Sequence, residues 1–547
     1  MDSPKNATQD FAGRKLPWLV AAGALVLYLV TLNHWVSLGS LPMVARVTGW
    51  DWWLPNLQSP AFLLVTYPIR WLPGGIQPVA LNIFTATCAA LTLGLLARSI
   101  ALLPHDRTPE QRLRETGLHA RLSIGLNWIP PLAGALALGL SLSFWEHATA
   151  ASGEAFNLLM FAYVIRCLLE YRISGKQSWM DRFALVYGIA VVNDWAMIGY
   201  FPLFLPAVIW IRGWSFFSKN FLLRTTGFGL LGLLLYFYLP ATGASGTHVD
   251  QSFWELFRLQ WSIQKQSLLS VPRWVPLILS VATILPVVCM GIRWSNSSGD
   301  TSSIGTTLSQ FLFPLVHGIF LGIGLWYMLD HIYSSRLIDP RSGFLSFYVL
   351  AALSIGYYVG YFLLVCGNSS DRNALLPAWR RGVNGLLLGI AVVAVTAIPV
   401  ALIARNLPQI RWVNGGTLSR YAEAVMRELP KSGATVIADN PLYLLLAEGA
   451  SRKMSPATGL ATIDSRMMTS PAYHRRLKAR SGAMYGSVLA DRTDSQGITD
   501  LELVGYMTML AAKSPVYYLH HSFGYYLEAM YMAPRGLINE LRLYEGW

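Results

Sequence analysis

Long apolar windows alternate with short polar connections along most of the chain. The windows cover residues 17–38, 77–103, 123–144, 154–172, 183–197, 198–213, 222–240, 272–292, 309–329, 344–366 and 383–404. Most approach the ~20 residues that a helix rising about 1.5 Å per residue needs to cross a bilayer's hydrocarbon core. The pattern predicts about eleven membrane spans. The stretch 183–213 is one apolar region interrupted by Asn193, Asp194 and Pro202, and it is read as two short helices. Residues 41–72 are read as surface-lying helices within a loop, and the run Gly49-Trp50-Asp51-Trp52-Trp53 suits a membrane interface. From about residue 405 the pattern changes. Thr417 is placed to cap a helix over Leu418–Leu429. Ala434–Ala438 reads as a short buried strand, followed by a helix after Pro441. Leu501–Ala512 is helical by pattern, and Pro515–Leu519 is strand-like. Strands alternating with helices predict a small α/β domain.

Charge gives the spans a direction. The 547-residue chain is 54% hydrophobic and 13% charged, with a net charge of +13. Much of the excess lies in short loops between apolar windows, so membrane topology explains it better than nucleic-acid binding. Lys5, Arg14 and Lys15 put the N-terminus inside. Alternation then brings Arg107, Arg112 and Arg114, the Arg172–Arg182 loop, Arg212–Arg224, and Arg372–Arg381 to the same side. The expected division is a cytoplasmic N-terminus over 1–16, a membrane body over 17–404 with an external loop at 39–76, and an extracytoplasmic α/β domain over 405–547. Such a chain is a multi-pass protein of the cytoplasmic (inner) membrane, with membrane lipid as a partner. Arg14 and Lys15 precede an apolar run with no small-residue cleavage site, which reads as a signal anchor. Cys88, Cys167, Cys289 and Cys366 fall in or beside apolar windows, where they serve as small core residues rather than a disulfide framework.

Ionisable groups at membrane depth are the candidates for chemistry. Asp51 is the sole acid between Asp10 and Asp106. Glu146 and His147 end the third window, and Glu154 begins the fourth. Asn193 and Asp194 break the fifth from the sixth. Asp330 and His331 end the ninth, with Arg336 and Arg341 beyond. On the predicted topology all of these face one side. A carboxylate there can deprotonate an acceptor hydroxyl, and basic side chains can hold a phosphate leaving group. Each residue also has a plainer role. Asp51 would keep an interfacial helix wet, Glu146 and His147 would end a helix, and Glu154 would complement a helix dipole. Asn193 and Asp194 would satisfy backbone groups freed at a break, and Arg336 and Arg341 would be solvated loop residues. No cluster with metal-ligand spacing is evident, so the sequence names no metal ligands and leaves metal dependence open.

Three groups of residues carry a resemblance. They are Leu25-Val26-Leu27-Tyr28-Leu29-Val30-Thr31-Leu32; Trp71-Leu72-Pro73 with Ala80–Ala86; and Phe144-Trp145-Glu146-His147-Ala148 with Gly153-Glu154. Tyr421-Ala422 to Asp439 and Pro534-Arg535-Gly536-Leu537 extend it towards the C-terminus. Together they resemble the bacterial relatives of the transmembrane-protein O-mannosyltransferases, a family formerly described as a domain of unknown function. The resemblance implies a mainly α, GT-C type membrane body and a sugar donor linked to a polyprenyl phosphate. It also implies an acidic catalytic residue in the first external loop. The usual Asp-x-Gly-Glu motif of that loop is missing: the chain reads Ser37-Leu38-Gly39-Ser40-Leu41-Pro42 there. The His-Pro-Pro-Gly motif is replaced by Leu57-Gln58-Ser59-Pro60. Either Asp51 has become the loop carboxylate, or transfer activity is altered or lost.

The leading expectation is an inverting transferase that moves a sugar (mannose, by the family's name) to a protein or envelope-glycan acceptor. Asp51 would be the base, supported by Glu146, His147 or Glu154, and His331, Arg336 and Arg341 would hold the donor phosphate. The donor itself is the only non-protein group implied, and no nucleic acid is involved. Two alternatives stay open: a non-catalytic envelope protein that binds lipid-linked sugar or a partner, and a transporter. The transporter is disfavoured by the lack of an inverted repeat.

Overall fold

The computed structural model describes residues 11–54, 56–103, 126–244, 252–269, 272, 274–291, 303–330, 344–367, 378–430, 433–454, 460–481, 488–493, 497–520 and 529–544. Its helices in chain order are α1 (Leu16–Val30), α2 (Leu41–Thr48), α3 (Pro60–Thr66), α4 (Gln77–Leu102), α5 (Ile129–Gly139), α6 (Leu142–Thr149), α7 (Glu154–Ser174), α8 (Gln177–Asn193), α9 (Phe201–Arg212) and α10 (Lys219–Leu233). There follow α11 (Tyr238–Ala244), α12 (Phe253–Leu269), α13 (Trp274–Gly291), α14 (Ser303–Met328), α15 (Leu345–Gly367), α16 (Ala378–Val413), α17 (Thr417–Glu428), α18 (Pro441–Met454), α19 (Pro471–Ser481) and α20 (Asp500–Lys513). The strands are β1 (Thr435–Ala438), β2 (Ala461–Asp464), β3 (Val516–His520), β4 (Met530–Arg535) and β5 (Ile538–Leu543). The chain divides into two compact units. One comprises residues 1–32, 83–235 and 264–413; the other comprises 33–82, 236–263 and 414–547.

The first unit is helical. Across the whole chain, five helical segments among the described residues are long and apolar enough to cross a membrane: Phe11–Val30, Gln77–Leu102, Trp195–Phe217, Lys219–Gly243 and Leu345–Leu363. The pair α5 and α6, bent by 71°, makes a sixth if it forms one broken span. The eleven expected spans are thus not clearly shown among the described residues. The window 154–172 forms a continuous helix, but Arg166, Glu170 and Arg172 charge its final turns. The windows near 272–292 and 309–329 yield shorter apolar segments, Trp274–Met290 and Leu315–Met328. An apolar window reports composition, and breaks and ion pairs shorten what can cross.

The α5/α6 bend shows how a broken helix survives in this setting. Breaking the backbone ladder orphans carbonyls, which must find donors in a dry interior. The Tyr28 hydroxyl donates to Gly139 O at 2.9 Å, Asn406 Nδ2 to Leu140 O at 2.7 Å and Ser141 Oγ to Leu138 O at 2.7 Å. Trp145 Nε1 adds a bond to Thr31 Oγ1 at 2.9 Å. Small residues then allow close helix approach. A Cβ on Gly188 would stand 2.4 Å from Gly229 O, and one on Gly232 would stand 2.4 Å from Leu185 O.

The second unit is built on a five-stranded sheet in the order β2-β1-β3-β5-β4. β1 pairs in parallel with β2 and with β3, while β3 pairs antiparallel with β5, and β5 with β4. β1 and β2 are buried at every position, as a parallel strand covered on both faces must be. The strands expected at 434–438 and 515–519 are present, as are the helices after Pro441 and over 501–512. β2 and the β4–β5 hairpin were not expected. The tail motif Pro534–Leu537 covers the end of β4 and the two-residue hairpin turn, with Gly536 at φ +58°. Pro534 is tolerated because β4 is the edge strand and needs no second ladder. Thr417 is the first residue of α17, not its cap; Gly416 holds the cap position without a side-chain bond.

The helix crossing at Gly188 and Gly232 is a stringent contact. Gly232→Leu forces backbone apart at 2.4 Å. The purified variant is expected to lose at least about 2 kcal/mol of stability through overpacking, measured as a lower melting temperature in detergent.

Candidate functional site

Asp51 lies in the second unit, in a segment held against the C-terminal sheet. The holding begins with the end of α2. Gly49 adopts the left-handed conformation at φ +74° that ends a helix, and the orphaned carbonyls of Thr48 and Gly49 accept from Arg452 at 3.0 and 2.9 Å. A cation at a helix C-terminus also complements the helix dipole. The Trp50 ring packs over Gly449, where a Cβ would meet it at 2.6 Å. Arg476 donates to Trp53 O at 2.5 Å. Asn82 Nδ2 fixes the start of the segment through Asn33 O at 2.7 Å and Trp35 O at 3.1 Å.

Trp52 continues this surface. It stacks on Tyr473 with ring centroids 5.8 Å apart and planes 18° apart. Arg480 lies over its other side, 4.9 Å from the ring centroid. Trp52 Nε1 donates to Thr462 Oγ1 at 3.2 Å, Thr462 donates to Glu448 at 2.7 Å, and Arg480 reaches both oxygens of Glu448 at 2.9 Å. The chain of contacts runs from an aromatic ring on the loop to a buried carboxylate on α18.

The half-buried Asp51 therefore sits near the carboxyl end of the parallel strands, where open α/β sheets tend to bind ligands. Asp464 ends β2, and Asp439 follows β1. Asp439 accepts from Tyr518 at 2.6 Å and from Ser465. Burial pushes the Asp51 carboxyl above its ordinary range; Arg46 and the Leu54 amide pull it down, and the Asp464 charge pushes it up. Arg46 in turn donates to Gln58 at 2.6 Å. Among the described residues, Asp51 Oδ1, Trp50 Nε1, Trp53 Nε1 and Asn56 Oδ1 are buried without a hydrogen-bond partner. Such atoms are rare and each costs about 1–3 kcal/mol if left unpaired. Two donors and two acceptors in seven residues suit a ligand that both gives and takes hydrogen bonds, as sugar hydroxyls do.

The other described candidates lie in the first unit, at the ends of its helices. Glu154 opens α7 and Asp194 follows α8, close enough for their charges to interact. Asn157 bonds to Glu154 and accepts from Asn193 at 2.5 Å. Asp194 accepts from the Ala196 amide at 3.0 Å, starting the next helical turn. Tyr200 and Ser346 share a hydrogen bond of 2.6 Å. Ser143 donates to Asp330 at 2.8 Å, and Tyr348 donates to the same oxygen. Glu146 and His147 close α6, where His147 Nδ1 is 2.6 Å from Ser152 Oγ. Asp194 thus satisfies a backbone amide at a helix break, as the plainer reading held, while also lying close to Glu154; the Asn193 amide bonds to the Asn157 side chain. His331, Arg336 and Arg341 lie outside the described residues. No group of three or more His, Cys, Asp or Glu residues that could hold a metal occurs among the described residues.

Arg46, Asp464, Tyr473 and the Glu448–Arg480 pair escaped the sequence reading. Arg46 lies one turn from Asp51 on an amphipathic octapeptide, a usable signal. The others are some 400 residues distant, and nothing local marks them.

Residues 59–220 match the model of the protein O-mannosyl-transferase TMEM260 N-terminal domain. This is the family that the sequence resembles. The matched segment contains Glu146, His147, Glu154 and Asp194 and begins after Asp51. The match supports a glycosyltransferase-like function for the chain. No curated protein matches it.

The docking of the loop is testable. Arg452→Met removes both bonds to the end of α2. Limited proteolysis of the purified protein is expected to cut within 49–58 at least tenfold faster than in wild type, since exposed backbone opens where its anchors are lost. An unchanged cleavage rate would show that Trp50 and Arg476 suffice.

Proposed function

We propose that the chain is a membrane mannosyltransferase-like enzyme that moves a sugar from a polyprenyl-phosphate donor to a hydroxyl acceptor, a protein or an envelope glycan, on the outer face of the membrane. The match over residues 59–220 carries this reading. Asp51 is the base. Its carboxylate takes the acceptor's hydroxyl proton as that oxygen bonds to the anomeric carbon. The bond from that carbon to the phosphate oxygen breaks, and the electron pair leaves on the polyprenyl phosphate. Backside attack inverts the anomeric centre. The unpaired polar atoms around Asp51 would hold sugar hydroxyls. Glu154, with Glu146 and His147, acts in support within the first unit. His331, Arg336 and Arg341 are retained as holders of the donor phosphate.

The test is transfer of labelled mannose from a polyprenyl-phosphate donor by the purified full-length protein in liposomes. Asp51→Asn is expected to lower the rate about 10²- to 10⁴-fold, the usual contribution of a general base. Retained activity would remove Asp51 from the mechanism. Turnover absent from wild type despite donor binding would favour a non-catalytic binding protein.

The pH profile gives a second test. The base must be ionised, so activity rises with pH through the Asp51 value. That rise is expected above the usual aspartate range. Arg46→Met removes a cation that favours the carboxylate and should move the rise to higher pH, while Asp464→Asn removes a like charge and should move it lower. Shifts in the opposite directions would show that another group titrates.

Stability moves the other way from activity. A carboxyl whose folded value is raised stabilises the fold below its unfolded value and loses that contribution as pH rises through the folded one. Asp51→Asn should therefore melt no lower than wild type at neutral pH. A clear loss of stability would instead mark Asp51 as a structural ion.

A further inference from the structure

We propose that α12 (Phe253–Leu269) lays one face on the anionic surface of the bilayer and contacts lipid phosphates there. At about 3.6 residues per turn, Trp254, Arg258, Trp261, Lys265 and Leu269 fall on one side of this helix. All five are exposed, Trp254 by 63% and Trp261 by 49%. The other side of the helix is covered. Leu256 and Gln260 are fully buried. The Phe253 and Phe257 rings stack on Phe237 with centroids 6.2 and 5.6 Å apart, and a Cβ on Gly243 would meet Leu256 Cδ1 at 3.0 Å. Packing fixes the orientation of α12 and leaves the Trp, Arg and Lys side chains outside.

The charges on this face are available. Among the described residues, Arg258 and Lys265 are held in no ion pair or hydrogen bond. Glu255, the one acid of the helix, is engaged at its start. Its Oε2 accepts from the Ser252 amide at 2.8 Å, and its own amide donates to Ser252 Oγ at 3.4 Å, a reciprocal cap. Trp261 meets the Tyr236 ring at 6.2 Å, which steadies the indole at the edge of the face.

The covalent chain decides what this face meets. The segment Lys219–Gly243 is long and apolar enough to cross a membrane, and α12 begins ten residues after its end. The apolar segment Trp274–Met290 begins five residues after Leu269, no more than about 18 Å of extended chain. With Glu255, Arg258 and Lys265 among its 17 residues, α12 is not itself one of the candidate spans. A helix tied to apolar segments at both ends, with indoles and cations on its open side, suits the bilayer surface. There indoles settle at headgroup level, and free cations are drawn to anionic lipids, whose phosphates accept their N–H donors. Residues 236–263 belong to the second unit, so the contact holds that unit at the lipid surface. The face contains no residue of the proposed transfer site, and its role does not rest on that reading.

The experiment places the full-length protein, one copy per nanodisc, in phosphatidylglycerol or in phosphatidylcholine. Hydrogen–deuterium exchange over 253–269 is followed by mass spectrometry, since docked backbone opens less often. Wild type is expected to exchange at least about fivefold more slowly in phosphatidylglycerol, where the leaflet attracts the two cations. Arg258→Gln/Lys265→Gln should remove that difference with the melting temperature preserved. Salt at about 1 M should remove it in wild type, because the screening length falls to about 3 Å; this arm decides the matter if the double variant unfolds. Equal exchange in the two lipids at low salt would overturn the proposal. So would a difference that survives high salt or survives in the folded double variant. Protection that appears only when two copies share a disc would assign the face to a second copy and overturn the lipid assignment.

Discussion

The second unit depends on one contact: the Arg452 guanidinium on the carbonyl end of α2. Every helix end leaves carbonyls that must be satisfied, and this one is satisfied by a side chain some 400 residues away. The bond is directional and complements the helix dipole, and it is backed by the Trp50 ring in the notch left by Gly449. Without it the Trp-rich segment would be an interfacial loop of the kind its composition suggests. With it the segment becomes part of an α/β domain, and the sheet's carboxyl edge gains a carboxylate from outside its own sequence.

The first unit solves a related problem by other means. There the breaks fall within a helical bundle rather than at its edge, and water is scarce. Tyr28, Ser141 and Asn406 take up the carbonyls freed at the bend between α5 and α6. Paired glycines bring α8 and α10 together without side chains between them. The polar residues that look anomalous in an apolar sequence divide on this basis. Some, such as Asn406, satisfy backbone and do nothing else visible. Others, such as Glu154 and Asp194, bring carboxylates together, which backbone satisfaction alone does not require.

Much of this was legible in the sequence, and the failures have physical causes. β1 and β3 were readable because a buried parallel strand is a continuous apolar run; Ala434–Ala438 and Pro515–Leu519 stand out from polar neighbours. β2 was missed because Ala461-Thr462-Ile463-Asp464 is four residues long and half polar. Its Thr and Asp are buried only because Glu448, Arg466 and Tyr473 supply partners from elsewhere. The apolar windows marked helices, of which five or six among the described residues are long and apolar enough to cross a membrane; hydropathy averages over the charges of α7 and over the bend at Leu140. Asp51 could be singled out because it is the lone acid in a long stretch. Its setting could not, because Asp464 and the anchoring arginines are close only after folding.

The missing acidic motif takes on a different meaning in this light. A chain that kept the scaffold but had no use for a loop carboxylate would gain by losing it. Asp51 is pushed towards its neutral form by burial, faces a second acid in Asp464, and has one oxygen without a partner among the described residues. Two buried indole N–H groups and the Asn56 carbonyl share that condition. At about 1–3 kcal/mol for each unsatisfied group, replacing them by Asn, Phe or Leu would stabilise the domain. Strained or unsatisfied groups of this kind cluster where a protein binds or reacts. The motif's residues are absent from Ser37–Pro42; in the proposed mechanism Asp51, half-buried beside other unpaired polar atoms, takes their place.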